Sequence, residues 1–289
     1  MMRYRFLRFP GGKFKAVTLS YDDGLNADIR FASTVAKCGM KATFNVNYGF
    51  MNGAKGNGEG YLSAKEIKDN ILPLGHEIAI HGENHRAVGI LRPVEIVSEF
   101  YECRKHLEEE FGFIIRGMAY PDFGIKYLTG GRSYGEIRDI LKSLDIAYSR
   151  NTLTDDSFSL PSDWYDWRPT VHNTDSNVME LVDKFLAVDE KKLYVAYRHP
   201  KLFYMWGHTT EFNKNNGWEL LDTVCEKLGN REDIWYATNM EIYNYVKAYE
   251  SLEFSLDSKT VYNPTVTTVW FQVDGKMYTI KPGETIKIK

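Results

Sequence analysis

Apolar positions along this chain switch repeatedly between two periods. Lys15–Tyr21 (KAVTLSY) is a short apolar run suited to a buried strand. Ala27–Gly39 (ADIRFASTVAKCG) then spaces its apolar residues as a helix does and ends on a glycine that predicts a C-cap. The same alternation continues. Strands are predicted at Lys41–Asn47, His76–His81, Ile115–Pro121 and Asp145–Asn151, with later strand-like runs at Lys192–Pro200, Leu202–His208 and Asp233–Thr238. Helices are predicted from Ser63, where Ser63 and Glu66 fit a capping box, at Pro93–Phe111, Tyr134–Leu144, Trp218–Leu228 and Asn239–Ser251. A glycine-rich loop, Gly53 to Gly60, precedes Ser63.

Repeated β-then-α units argue for a parallel sheet with helices outside it, open or closed into a barrel. Around Ser251 the texture changes. Val261–Lys289 alternates with period two and carries an Asp274–Gly275 turn, the signature of a hairpin. The expected organisation is therefore a main domain over 1–250 and a small β extension over 251–289. A lone hairpin is marginal in water, so the extension either closes one end of the barrel or pairs with another subunit, and the oligomeric state stays open.

Composition narrows the class only a little. At 43% hydrophobic and 26% charged residues the chain reads as an ordinary soluble protein. A net charge of −3 argues against nucleic acid as a partner, and no apolar run is long enough for a membrane span. The basic N-terminus lacks a run of signal-peptide length, and Cys38, Cys103 and Cys225 are too widely spaced to suggest a metal or redox pair. Both features make a cytoplasmic location the expectation, with an extracellular one if a leader has been removed. The richness in aromatic residues suits a well-filled core first and a sugar-facing cleft second.

Candidate chemistry collects just after predicted strands, where parallel α/β folds bind their ligands. Asp22 and Asp23 follow the first strand. Neighbours in a continuing strand point to opposite faces, so both reach one site only if the strand stops, as Gly24 suggests. His81 and His85 in HGENH follow the third strand. Their i, i+4 spacing stacks the two imidazoles if a helical turn comes next. One carboxylate and two such histidines would hold a divalent cation and leave positions open for water and substrate.

These residues belong to a longer series that resembles the polysaccharide deacetylase family, carbohydrate esterase family 4. SYDDG resembles its first motif and HGENH its second. AYPDFG (Ala119–Gly124) resembles the third, DWYDW (Asp163–Trp167) the fourth and MWGH, ending at His208, the fifth. The resemblance runs from about Lys15 to Ala248. It implies a distorted (β/α) barrel with fewer regular strands than an eight-stranded barrel. It also implies hydrolytic removal of acetyl groups from N-acetylated sugar units of a polysaccharide or oligosaccharide. Asp23, His81 and His85 would hold one divalent metal ion, with zinc the leading candidate and Co, Ni, Mn or Fe also suited. Asp22 would be the general base and His208 the general acid. A backbone N–H near Asp122 or Phe123 would face the oxyanion, and Tyr120, Pro121, Phe123, Asp166, Trp167 and Trp206 would shape the cleft.

The chain departs from the family pattern in places that bear on substrate. Ala119 stands where the third motif often has an arginine that steadies the base, Asp122 lengthens that motif, and Trp206 replaces a leucine. Other readings therefore stay in view: hydrolysis of an O-acetyl ester or of a small non-sugar amide, a carbohydrate-binding protein on an inactive scaffold, and an iron oxygenase using the same ligands. His76 reads as structural and His106 as a surface residue. His172, His199 and Glu211 read first as ordinary hydrogen-bonding residues and second as candidates for the cleft.

Overall fold

Lys15–Asp23 forms the central strand of the molecule, and its position follows from its neighbours on both sides. The computed structural model describes residues 4–53, 60–130, 132–214 and 216–289, so most of the predicted Gly53–Gly60 loop lies outside the described residues. In chain order β1 (Arg5–Arg8) precedes the barrel elements β2 (Lys15–Asp23), α1 (Asp28–Lys37), β3 (Ala42–Val46), α2 (Ala64–Asn70), β4 (Glu77–Ile80), α3 (Pro93–Phe111), β5 (Gly117–Ala119), α4 (Tyr134–Ser143), β6 (Tyr148–Arg150), β7 (Val171–His172), α5 (Val178–Ala187), β8 (Lys201–Gly207), α6 (Gly217–Leu228), β9 (Ile234–Tyr236) and α7 (Asn239–Glu250). Five short strands follow: β10 (Glu253–Phe254), β11 (Thr260–Tyr262), β12 (Val269–Val273), β13 (Lys276–Ile280) and β14 (Thr285–Lys287).

Eight strands form one parallel sheet in the order β6-β5-β4-β3-β2-β8-β7, with β9 beside the first half of β2. Seven strands lie on that path and several have only two or three residues, as expected of a distorted barrel with fewer regular strands. The sheet curls until its edges nearly meet: Trp167 bridges to Arg150 at one edge, and Thr170 N–H donates to Tyr204 O (2.8 Å) at the other. The alternation of β2 explains the two cores. Val17, Leu19 and Tyr21 face the helices and join Phe31 and Val35 of α1, whereas Ala16 faces the barrel interior with Tyr148, Trp167 and Tyr204.

The interior also holds polar groups that bond one another. Thr18 donates to Asn239 Oδ1 (2.9 Å), Asn239 donates to the Tyr204 hydroxyl (2.6 Å), and Glu77 accepts from Thr43 (2.8 Å), Tyr148 (2.7 Å) and Met240 N–H (2.9 Å). The N-terminus of α7 thus plugs the end of the barrel opposite the strands' carboxyl ends. His76 sits at that end as a buried structural residue, accepting from Ala42 N–H (3.1 Å) and bonding Ala32 O (3.1 Å).

Local signals behave as their chemistry predicts. Ser63 and Glu66 form the capping box of α2, and Gly39 takes the left-handed conformation (φ 71°) after α1. Lys192–Pro200 does not form a strand. It makes short 3-10 turns, because the proline disfavours continued pairing there. His199 packs on Phe6 (4.8 Å) before β8 begins, so it is at the wrong end of the barrel to line the cleft.

The C-terminal segment is more than a hairpin. β12 and β13 pair as predicted across Asp274–Gly275, but β1 joins them antiparallel, and β10, β11 and β14 form a second small sheet. The N-terminal strand therefore belongs structurally with the C-terminal extension. Among the described residues no helix is long and apolar enough to cross a membrane.

Candidate active site

Asp22 and Asp23 meet at the carboxyl end of β2, but the strand does not stop before them. Pairing continues through Asp23, which lies opposite Val46. Asp23 instead takes a left-handed conformation (φ 80°), and both carboxylates approach His81: Asp22 Oδ2 and Asp23 Oδ1 each lie 3.6 Å from its Nε2. The two histidines converge by a related route. Residues 81–87 form no helical turn. Gly82 (φ 84°) and His85 (φ 55°) bend the segment into a loop that leaves the rings 4.9 Å apart. Left-handed non-glycine residues cost energy and gather where function holds them. Asp122 (φ 51°) is a third at this site, with Oδ1 3.7 Å from His85 Nδ1.

The residues fit a bound divalent cation. Asp23 Oδ1 is buried without a hydrogen-bond partner, and His81 Nε2 (3.6 Å) and His85 Nε2 (3.4 Å) face it. His81 Nδ1 bonds the Ala119 carbonyl (3.0 Å), which fixes the ring proton there and leaves the Nε2 lone pair free, the usual arrangement of a metal-ligating imidazole. Burial further pushes the His81 pKa down, favouring the neutral ring that a ligand must be.

Asp22 is held by a residue that the motif reading did not supply. Arg150, fully buried at the end of β6, pairs with Asp22 Oδ2, and Asn45 Nδ2 donates to Oδ1 (2.8 Å). Burial alone would raise the Asp22 pKa. The Arg150 charge, with His81 and His208, outweighs it and brings the carboxyl to about 2. Trp206 covers the ion pair, with the guanidinium carbon 4.0 Å from its ring centre. Ala119 therefore does not leave the carboxylate without an arginine; one arrives from the next strand. The available signal was an arginine ending an apolar strand, since arginine is rarely buried unless paired.

His208 follows β8 and faces the same space, its Nε2 3.9 Å from Asp23 Oδ2. Glu211 accepts from its backbone N–H (3.0 Å) and contacts ring Nδ1 (3.2 Å). Burial opposes charge on this ring, but the Glu211 hydrogen bond and the carboxylates of Asp22 and Asp23 prevail, raising His208 to about 9. His172 completes the group. Thr174 N–H donates to its Nδ1 (3.2 Å), which places the ring proton on Nε2, 3.5 Å from Glu211 Oε2. Glu211 thus acts on His208 within the site rather than at its substrate-facing edge.

A cavity of about 270 Å³ lies over these groups, lined by Asp22, His81, His85, Tyr120, Asp122, Phe123, Thr152, Trp206 and His208. Phe123 is 57% exposed at its mouth. Pro121 is buried, and its carbonyl accepts from Gly124 N–H (3.0 Å), which turns the chain around Asp122 and Phe123. Among the described residues nothing accepts from the N–H of Asp122 or Phe123. Two predicted cleft residues are elsewhere. Trp167 is 1% exposed and packs against Tyr148, Trp164 and Tyr204 inside the barrel, and Asp166 accepts from Asn151 and Arg168 behind the lining. A larger depression, about 630 Å³ between α3 and α4, is lined by surface residues such as Tyr101, Arg104 and Glu108 and lies on the helical exterior.

Fold and cleft together define a parallel (β/α) barrel protein with a carboxylate–histidine centre at its strand ends. The polysaccharide deacetylase family model matches residues 5–146, which include the first three motifs. Over that stretch the chain is similar to the family that the motif series resembles. Among solved structures, a putative polysaccharide deacetylase from Mycobacterium smegmatis shares 15% identity over 86% of this chain and 96% of that one, with a TM-score of 0.57. A mutant of a carbohydrate esterase family 4 pseudoenzyme from Bacillus anthracis, with restored enzymatic activity, shares 17% over 82% and 70%, with a TM-score of 0.50. A family 4 acetyl xylan esterase from Clostridium thermocellum, in complex with a cobalt ion, shares 17% over 80% and 91%, with a TM-score of 0.48. At these identities the likeness is one of fold. No curated protein gives a match.

Proposed function

We propose that this protein is a metal-dependent hydrolase that removes acetyl groups from N-acetylated sugar units. The observation that carries the reading is the meeting of Asp22, Asp23, His81, His85 and His208 at one cavity. A divalent ion held by Asp23, His81 and His85 would acidify its water and polarise the substrate carbonyl. Asp22, ionised and oriented by Arg150 and Asn45, takes the proton as the water oxygen bonds to the acetyl carbon. The N–H groups of Asp122 and Phe123, which have no acceptor among the described residues, are the donors available to the resulting oxyanion. His208, charged at neutral pH, gives its proton to the nitrogen as the C–N bond breaks, yielding acetate and an amine. The cavity has room for the acetyl group and part of one sugar ring, and Phe123 offers a flat apolar face at the mouth.

The test is acetate release from N-acetylglucosamine oligomers, O-acetylated xylan and small acetamides, with chelated protein and with added zinc or cobalt. Metal-dependent acetate from the oligomers supports the proposal. Release from xylan alone moves the activity to esters. No acetate from any of them, with metal bound, replaces the enzyme with a binding protein on the same scaffold.

A further inference from the structure

We infer that Glu99, on α3, is a positioning residue for the cation ligands: its buried carboxylate shapes the loop bearing His81 and His85 and so sets how tightly a divalent ion is held. The inference rests on the reading of Asp23, His81 and His85 as those ligands. Glu99 is 3% exposed. A carboxylate this deep needs strong donors, and here they come from the loop. Its Oε1 accepts from Asn84 N–H (2.7 Å) and Arg86 N–H (3.2 Å), and Asn84 Nδ2 lies 3.4 Å from Oε2. Those two amides bracket His85, so one oxygen grips the chain on both sides of a residue held at φ 55°. The Glu99 carbonyl also accepts from Glu83 N–H (3.0 Å).

The loop lies so close to the carboxylate that a Cβ on Gly82 would meet Glu99 Oε1 at 2.8 Å. From the other side Asn47 Nδ2 donates to Gly82 O (3.0 Å), and Gly49 N–H to Glu83 O (2.9 Å). The backbone that presents both imidazoles is thereby fixed before any ion arrives. Without the carboxylate, the amides of Asn84 and Arg86 lose their acceptor and His85 is released toward ordinary right-handed or extended conformations. Affinity for the ion then pays for re-forming the loop.

The probe is Co(II), titrated in competition with a chromophoric chelator against the full chain, Glu99→Gln and Glu99→Ala, with melting of the metal-free proteins recorded alongside. The expected result is cobalt binding weakened about tenfold in Glu99→Gln and up to about a hundredfold in Glu99→Ala. A folded Glu99→Gln protein that binds cobalt as the parent does, even with a lowered metal-free melting temperature, makes Glu99 merely structural and overturns the inference. A second measurement needs no variant. In the metal-free parent the amides of Asn84 and Arg86 should exchange slowly with deuterium, and exchange at the rate of open loops overturns it as well. If instead the parent binds no cobalt, or His81→Ala binds it equally well, the underlying ligand set is wrong.

Discussion

Arg150 and Asp22, 128 residues apart in sequence, form a fully buried ion pair beneath the indole of Trp206. The pair joins the ends of two strands that are not neighbours in the sheet, and it fixes the carboxylate proposed as the base. Its removal should be felt in both stability and turnover.

Arg150→Ala takes from a buried carboxylate the cation paired directly with it, which costs about 3–5 kcal/mol. With the guanidinium gone, burial pushes the Asp22 pKa up from about 2. The lowered value means that the native pairing stabilises the fold above the unfolded carboxyl pKa and that this is lost as pH falls toward 2. The variant should therefore melt earlier at pH 7, and its acid limb of turnover should move to higher pH. Arg150→Lys should recover part of the stability but not the geometry. An unchanged acid limb in a folded variant would detach Arg150 from the base.

Asp22 and His81 should separate in their effects. Asp22→Asn should keep its cation and lose at least about a hundredfold in turnover. His81→Ala should lose cation and turnover together, as measured by metal analysis after dialysis. If Asp22→Asn retains turnover, the proton goes elsewhere.

Glu211→Gln tests the acid. His208 is raised to about 9, so its proton is present through neutral pH and is lost as pH rises through that value. Removing the Glu211 charge should carry the basic limb of the pH–rate profile toward the ordinary histidine range while leaving cation content unchanged. A basic limb that does not move would exclude His208 as the titrating group.

Trp167 should behave as a core residue. Trp167→Ala empties a site packed by Tyr148, Trp164 and Tyr204 and should cost about 3–5 kcal/mol in denaturant unfolding. In protein that remains folded, KM should be close to that of the parent. A large rise in KM with little loss of stability would return Trp167 to the cleft.

Much of this site could be read from residue order because strand ends collect chemistry and the ligand residues follow strands directly. What escaped was geometry that residue type does not encode. Nothing in HGENH distinguishes a helical turn from a loop with left-handed Gly82 and His85, and nothing in SYDDG announces φ 80° at Asp23. The Asp-x-x-Asp-Trp pattern at Asp163–Trp167 could not say that the indole turns inward, because the bridge from Trp167 to Arg150 is made only when the sheet curls. Arg150 itself was visible only as the end of an apolar run; its partner comes from a distant strand. In the C-terminal segment the period-two pattern foretold β12 and β13, but a third strand of that sheet lies at the other end of the chain.

That long-range pairing has a consequence for how the molecule is made. Tyr4 N–H donates to Asp274 Oδ1, 270 residues away, and β1 lies against β12 along its whole length. On the ribosome β1 emerges long before its partner exists, so its Phe6 and Leu7 must wait, uncovered, while the barrel behind them assembles. The sheet of β1, β12 and β13 can be completed only once the chain beyond Val269 has been made. Synthesis halted before Val269 would leave a finished cleft on a chain whose leading strand is still an open edge, the kind of edge that recruits a second chain.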